Sequence, residues 1–208
     1  KNDTSPGPDG ISSRILKKLK EELSEPLAII MNKIMSGDPI PDGWKRSNVC
    51  AIFKKGDKRK VSNYRPVSME NLLCKVGEKI VKNELLNHLI ENDMIQGSQH
   101  GFMAGRSTTT NLIEYLDEIT SALDDGLTVC SIYTDFSKCF DRIPHRLIIH
   151  KLKERYKVKG AVLNWIEDWL SQRRQRVVLN GVSSEWSEVK SGVIQGSVLG
   201  PLLAIIML

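Results

Sequence analysis

The stretch TDFSKCFD (134–141) directly follows the run LTVCSIY (127–133), in which apolar and polar residues alternate. This alternation is typical of a β-strand with one buried face, so we predict a strand that ends near Asp135. A carboxylate at a strand end has a fixed direction, and the carbonyl of Phe136 follows it as a second hard oxygen, the ligand type that divalent cations prefer. Taken alone, however, an aspartate after a strand is usually part of a surface turn. Asp141 suits a different role, as a cap for a helix that begins near Pro144.

The composition excludes a membrane-spanning protein but few other classes. Of the 208 residues, 40% are apolar and 26% are charged, a size and balance that fit one or two ordinary domains. The longest purely apolar stretch, residues 202–208, is far below the ~18 residues of a membrane span. The four cysteines have no paired or zinc-site spacing and no signal peptide precedes them. We therefore expect reduced thiols and an intracellular protein of the nucleus or cytoplasm.

The net charge of +5 is concentrated in two places. The first cluster has one acid, Asp57, and seven basic residues: Lys45, Arg46, Lys54, Lys55, Lys58, Arg59 and Lys60. The second consists of Arg173, Arg174 and Arg176. Each cluster fits a contact with a polyanion such as nucleic acid, and each fits equally well a solvated loop or strand edge.

Several segments have apolar residues at three- and four-residue spacing, which predicts amphipathic helices. We expect helices over residues 11–34 with Asp9 as cap, from 70 to before 97, over 108–124 after a Ser107 or Thr108 cap, over 144–155 and over 162–170. In the last of these, the two tryptophans at four-residue spacing are expected in the core. Strands are expected at residues 48–53 and 64–68, and a hairpin about Asn180-Gly181 whose turn could extend to Ser184. The fold class predicted is α+β.

Ordered blocks along the chain resemble one known family. The upstream blocks are SPGPDGIS (5–12), WKRSNVCAIFKKGD (44–57), NYRPVSMENLLCKVGEKIV (63–81) and QHGFMAGRSTTTNL (99–112). The downstream blocks are DFSKCFDRIPHRL (135–147), WIEDWLSQRRQRVVLNG (165–181) and SGVIQGSVLGPLL (191–203). In this order they resemble the reverse transcriptases of non-LTR, LINE-type retrotransposons, over essentially the whole chain.

The resemblance implies a right-hand polymerase with fingers over residues 1–123 and a partial palm over 124–208, and with the thumb absent. It also implies an RNA-directed DNA polymerase that uses two Mg²⁺ ions, deoxynucleoside triphosphates, an RNA template and a DNA primer. Asp135 would be the first catalytic metal ligand, together with the carbonyl of Phe136 in the nucleotide site. We expect its carboxylate to face a cleft beside the bend around Gln195.

The resemblance assigns further residues to nucleotide and nucleic acid. Phe140 would pack under the sugar and reject a 2′-hydroxyl, although a core aromatic is the simpler alternative. Gln195 would touch the incoming nucleotide, and Gly196 would permit close approach of the backbone. Lys54, Lys55 and Arg65 would contact the triphosphate. Four arginines would contact nucleic acid: Arg106, unless it is a simple surface arginine, and Arg173, Arg174 and Arg176.

The chain also departs from the family pattern. The family places two adjacent aspartates, in an aromatic-Ala-Asp-Asp hairpin, after the SGVIQGSVLGP block, and no aspartate follows Asp168 here. Asp135 alone leaves a two-metal site short of anionic ligands, so we expect that the chain does not polymerise. Both ends look cut, so we also expect a fragment, with an apolar tail at 202–208 that is sticky in isolation. The alternative is a non-catalytic nucleic-acid-binding or interaction module derived from such an element.

Overall fold

The computed structural model describes residues 5–136 and 139–207, and the chain divides into two compact units. The first unit comprises Lys1–Leu86 together with Cys139–Leu208, and the second comprises Asn87–Lys138. The predicted boundary between residues 123 and 124 falls inside the second unit, and the division into fingers and palm stays a prediction about function.

A mixed five-stranded sheet organises the first unit. Its strands are β1 (Arg46–Phe53), β2 (Tyr64–Glu70), β3 (Arg174–Leu179), β4 (Val182–Ser183) and β5 (Ser187–Glu188). The order is β2-β1-β3-β4, and β5 also pairs with β3. β1 is antiparallel to β2 but parallel to β3, which is antiparallel to β4 and β5. The strands predicted at 48–53 and 64–68 are confirmed, and they join the predicted hairpin in one sheet.

The hairpin turn is formed by two residues and does not extend to Ser184. Leu179 is directly paired with Val182, so the loop is Asn180-Gly181 alone, and both residues have positive φ, 49° and 81°. Such a two-residue loop matches the twist of the flanking strands. Val178 pairs with Ser183, whereas Gln175 pairs with Ser187. Gln175 and Val178 are three residues apart on β3, whereas their partners Ser187 and Ser183 are four apart. The opposite chain therefore has a one-residue bulge between β4 and β5.

The N-terminal helical segment is broken into α1 (Ser13–Lys18) and α2 (Lys20–Met35), because the backbone leaves the helical region at Leu19. Ser12, and not Asp9, caps α1 by accepting the Ile15 amide on its hydroxyl. The carboxylate of Asp9 is occupied elsewhere, since it accepts from the amide of Ile11 and from the side chain of Asn71. The predicted Asp9 cap was therefore wrong.

Helices α5 (Cys139–Arg142), α6 (His145–Glu154), α7 (Gly160–Leu170) and α8 (Gly200–Met207) complete the first unit. Trp165 and Trp169 of α7 are buried and stacked at 6.1 Å between ring centroids, as predicted for core residues. Asp141 lies within α5, and α6 begins after Pro144 at the N-cap position, with no side-chain cap from any described residue. The predicted capping role of Asp141 was therefore wrong.

The apolar C-terminal segment is buried within the first unit. Leu203 and Ile206 of α8 are at most 1% exposed, and α8 packs against α6. The ammonium of Lys151 on α6 donates to the carbonyl of Met207 at 2.8 Å, at the end of α8. This corrects the expectation of a sticky tail for the described residues 202–207, since α6 supplies the apolar surface that the segment needs; Leu208 lies outside them.

Helix α3 (Leu72–Glu91) begins in the first unit, and its last residues belong to the second, which also contains α4 (Thr108–Asp124). α4 is confirmed as predicted. Ser107 accepts the Thr110 amide on its hydroxyl, and the hydroxyl of Thr110 accepts the Ser107 amide, a reciprocal cap. Within the described part of the chain, no helix has both the length and the apolar character needed to cross a bilayer.

The strand predicted at 127–133 is not formed. Residues 127–136 have no regular secondary structure, and the apolar members of the run are exposed, including Ile132 at 84%. A strand requires a hydrogen-bonded neighbour, and no described segment pairs with this one. The alternation of apolar and polar residues was therefore not sufficient to form a strand here.

Candidate active site

A cleft of about 390 Å³ opens in the first unit beside strands β1 and β2. Phe140 lines it from α5, and Gln195 lines it from the loop before α8. Val49, Pro66 and Ser68 of the two strands line the same space. The structure thus brings together two residues that the sequence analysis assigned to a nucleotide, from blocks far apart in the chain.

The loop that follows β5 is pressed against the backbone of α5. The Val193 amide donates to the carbonyl of Phe140 at 2.7 Å, and the Gly192 amide donates to that of Ile143 at 2.8 Å. Gly192 has a φ of +87°, and a Cβ there would lie 2.5 Å from the Phe140 carbonyl oxygen. This close approach needs glycine, and it sets the position of Phe140 relative to the loop.

Gln195 and Gly196 form a tight bend against β2. The carbonyl of Gln195 accepts the Ser68 amide at 2.8 Å. Gly196 has a φ of +121°, and a Cβ there would lie 2.7 Å from the Ser68 carbonyl oxygen. The side-chain oxygen of Gln195, Oε1, is buried and has no hydrogen-bond partner in the described part of the chain. An unpaired buried acceptor is costly, so it marks a place where a ligand donor would be favourable.

Behind this bend lies a buried cluster of charged side chains. Glu70 at the end of β2 and Arg173 form an ion pair at 2.7 Å, and both are about 1% exposed. Glu78 of α3 is fully buried and accepts the amides of Val198 and Leu199 on one oxygen, Oε2, at 2.6 and 3.1 Å. Burial, followed by the charge of Glu78, raises the pKa of Glu70 from 4.5 to about 8, although Arg173 opposes the shift. The sequence analysis missed Glu70 and Glu78, because no local motif marks charged residues that meet only in the folded chain.

The basic residues assigned to a triphosphate lie on the β1–β2 hairpin. Lys54 and Lys55 are exposed in its connecting loop, which the side chains of Asp57 and Asn63 hold in shape through backbone hydrogen bonds. Arg65 is also exposed. Successive strand residues point to opposite faces, so Arg65 projects from the face opposite to its cleft-lining neighbour Pro66.

The arginines assigned to nucleic acid have different environments. Arg106, in the second unit, donates through Nη1 to the carbonyls of Gly97 and Gln99, and so it braces the loop before α4. Arg173 is buried in its ion pair, its Nη1 donates to the carbonyl of Trp169, and its guanidinium lies 5.0 Å from the centre of the Trp169 ring. Its assignment to nucleic acid is therefore corrected, because no phosphate can reach it.

Arg174 and Arg176 remain accessible on β3. Arg174 is exposed, and Arg176 is half-buried. The Nε of Arg176 donates to the side-chain oxygen of Asn48 at 2.9 Å, and its guanidinium stacks on the ring of Trp186 at 4.6 Å. Both arginines keep donors that could face a phosphate.

Asp135 and Phe136 end the irregular segment of the second unit, and both are exposed. Ser137 and Lys138 of the same motif lie outside the described residues. Residues 5–136 and 139–207 contain no group of three or more His, Cys, Asp or Glu side chains that could hold a metal ion. Asp135 with the Phe136 carbonyl therefore does not by itself fit a two-cation site, and the expected approach of Asp135 to the Gln195 bend stays a prediction.

A family model described as reverse transcriptase (RNA-dependent DNA polymerase) matches residues 52–208, which is most of the chain. The chain belongs to the reverse transcriptase family. This membership rests on the match and not on the position of Asp135. Members of this family generally use divalent metal ions, and the family implies an RNA template and nucleotide substrates.

Curated relatives indicate which group of reverse transcriptases the chain is similar to. It is similar to the probable RNA-directed DNA polymerases from transposon BS (32% identity over 96% of this chain) and from transposon X-element (30% over 97%) of Drosophila melanogaster. It is also 28% identical, over 96% of its length, to the RNA-directed DNA polymerase from mobile element jockey of the same organism. It is thus a reverse transcriptase domain of the non-LTR retrotransposon type. The chain spans only 22% of each of these relatives.

Proposed function

We propose that this chain forms the incoming-nucleotide side of an RNA-directed DNA polymerase active site. The observation that supports the proposal is the shared cleft, in which Phe140 and Gln195 face one space of about 390 Å³. Phe140 would contact the sugar and exclude a 2′-hydroxyl. The unpaired Oε1 of Gln195 would accept a hydrogen bond from the nucleotide. Gly196 would allow the backbone to approach it.

The basic side chains near the hairpin loop would contact the triphosphate. Lys54 and Lys55 are exposed point charges on an ordered loop, which suits a mobile polyphosphate chain. Arg65 is proposed with them, although it projects from the opposite face of β2 and would need a phosphate on that side. In this proposal, residues 1–123 act as fingers and 124–208 as part of the palm.

Asp135 is proposed as a catalytic carboxylate. Its hard oxygens are the donor type that Mg²⁺ prefers, but one carboxylate and one carbonyl are too few to hold two such ions. We therefore propose that the 208-residue chain alone does not extend a primer. Arg106, Arg174 and Arg176 are proposed as contacts to template or primer phosphates.

Nucleotide binding by the chain tests the cleft. Addition of a deoxynucleoside triphosphate should shift the side-chain amide resonance of Gln195 and the resonances of residues around Phe140. Gln195→Ala should weaken binding by about fivefold to tenfold, the loss of one hydrogen bond, whereas Gln96→Ala, at an exposed position of the second unit, should not. Binding that is equal in both variants, or shifts remote from the cleft, would exclude this site.

Sugar choice tests Phe140 separately. The wild-type chain should bind a deoxynucleotide more tightly than the matching ribonucleotide. Phe140→Val should reduce this preference, because the smaller side chain leaves space for a 2′-hydroxyl. An unchanged ratio of the two affinities would remove the proposed role of Phe140.

A non-catalytic nucleic-acid binder is the second candidate, and the organised basic loop at 54–60 favours it. Primer extension on an RNA template with Mg²⁺ separates the two. Incorporation that disappears in Asp135→Ala would exclude the binder and would also contradict the proposed inactivity of the isolated chain. Salt-sensitive RNA binding without incorporation and without nucleotide binding would favour the binder.

A further inference from the structure

The loop that carries Gln195 is held from behind by one face of α3. The ammonium of Lys75 donates to the carbonyl of Gly196 at 2.9 Å. One turn further along, Glu78 receives the amides of Val198 and Leu199. Residues three apart on a helix lie on the same face, so α3 holds both ends of this short loop.

Loss of the Glu78 carboxylate would leave two backbone amides without their acceptor. Its side chain is fully buried, and the two amides that it binds precede α8. The hydroxyl of Ser197 accepts the Gly200 amide at 3.0 Å and so completes the turn into that helix. Without Glu78, the amides of Val198 and Leu199 would have no acceptor among the described residues, at a half-buried and a buried position.

We propose that Glu78 is a positioning residue for the loop 195–199. Glu78 does not touch the nucleotide. It acts by keeping the Gln195 bend against β2, where the carbonyl of Gln195 accepts the Ser68 amide. The role of this loop in nucleotide binding rests on the proposed function, whereas the anchoring does not.

Hydrogen exchange tests the anchor directly. Glu78→Met keeps the side-chain volume but removes the acceptor, so exchange at Val198 and Leu199 should accelerate by about ten to a hundredfold. Glu78→Gln keeps an oxygen for the two amides, and its rates should remain within about threefold of wild type. Glu84→Met, the same change at an exposed position of α3, is the matched control. Equal rates in Glu78→Met and Glu84→Met would overturn the proposal.

Nucleotide affinity provides the functional readout. Glu78→Met should weaken deoxynucleotide binding by about tenfold, and Glu78→Gln should restore it. If the wild-type chain binds no nucleotide while exchange follows the expected pattern, the proposed function fails and the anchor stands. If nucleotide binds equally well to Glu78→Met, the positioning role fails and the site stands.

If Glu78→Met does not fold, hydrogen exchange of the wild-type chain still tests the anchor. The amides of Val198 and Leu199 should then be protected as strongly as those in the middle of α3, because their acceptor is buried. Exchange as fast as that of the exposed loop at 54–60 would contradict the anchor.

Discussion

At the scale of the residue, Gly192 is required for two reasons, its positive φ and its close contact with the backbone of Phe140, and experiment can separate them. Its φ is +87°, and a Cβ would lie 2.5 Å from the Phe140 carbonyl oxygen. Gly192→Ala should therefore lower the free energy of unfolding by about 2–4 kcal/mol, the sum of backbone strain and a backbone clash. Urea denaturation monitored by tryptophan fluorescence measures this loss.

Gly181→Ala is the matched control for Gly192→Ala. Gly181 has nearly the same φ, +81°, but apart from its chain neighbours no atom of the described residues lies within 4 Å of a Cβ placed there. Its substitution should cost only the strain, about 1 kcal/mol. Equal losses at the two positions would mean that the loop moves away from α5 without penalty.

Arg173 and Arg174 are neighbours in the sequence with opposite environments. Arg173→Met should cost about 3–5 kcal/mol of stability, since it leaves the buried acids without their counter-charge. Arg174→Met, at an exposed position, should change stability by less than about 0.5 kcal/mol. Denaturation of both variants checks this difference, and similar losses would contradict the buried ion pair.

At the scale of the element, the β1–β2 hairpin presents its basic loop as an ordered unit. The Tyr64 hydroxyl donates to the carbonyl of Lys58 at 2.9 Å, and the rings of Tyr64 and Phe53 pack edge to face. All basic side chains of residues 54–60 are exposed. The loop therefore offers its charges at a low cost in conformational entropy.

Replacing Arg59 and Lys60 by Gln should weaken RNA binding by the chain. The slope of log affinity against log salt should become shallower by about 0.7 for each phosphate of single-stranded RNA that the variant no longer neutralises. Lys17→Gln with Lys18→Gln, which removes two charges from exposed positions on α1, is the control. Salt titrations of both pairs test the prediction, and an equal effect would indicate a general charge effect with no role for the hairpin.

At the scale of the whole molecule, the buried carboxyl group of Glu70 should make stability depend on pH. All four tryptophans lie in the first unit, so their fluorescence reports its unfolding. The pKa of Glu70 is about 8 in the folded chain and 4.5 without its environment. Between these values the folded chain binds the extra proton, so this contribution is complete below pH 4.5 and is lost as the pH rises towards 8.

The expected slope is at most about 1.4 kcal/mol per pH unit for one proton. Three charged groups act on Glu70, namely Glu78, Lys75 and Arg173. Glu70 in turn lies close to Cys74, and burial raises the pKa of the Cys74 thiol. Glu70→Gln removes the titrating acid, so the difference between wild type and this variant should isolate it. A constant difference from pH 5 to pH 8 would contradict the raised pKa of Glu70.

The family and much of the local structure could be read from the amino-acid order. Ser107 and the apolar spacing after it specify α4, and Asn180-Gly181 specifies the tight hairpin, since both depend on residues within one or two turns of chain. Gln195 and Phe140 were each assigned to the nucleotide through ordered blocks. Their meeting in one cleft could not be worked out from either block alone.

The environment of the charged and alternating segments depends on contacts that form only in the folded chain. Arg173 carries the same charge as Arg174, but packing beneath Trp169 and beside Glu70 makes it part of the core. Residues 127–133 alternate like a strand, yet no described strand pairs with them. Burial and strand pairing depend on partners distant in the sequence, whereas caps, turns and helical faces depend on neighbours, and this difference in range separates what the sequence determined from what folding added.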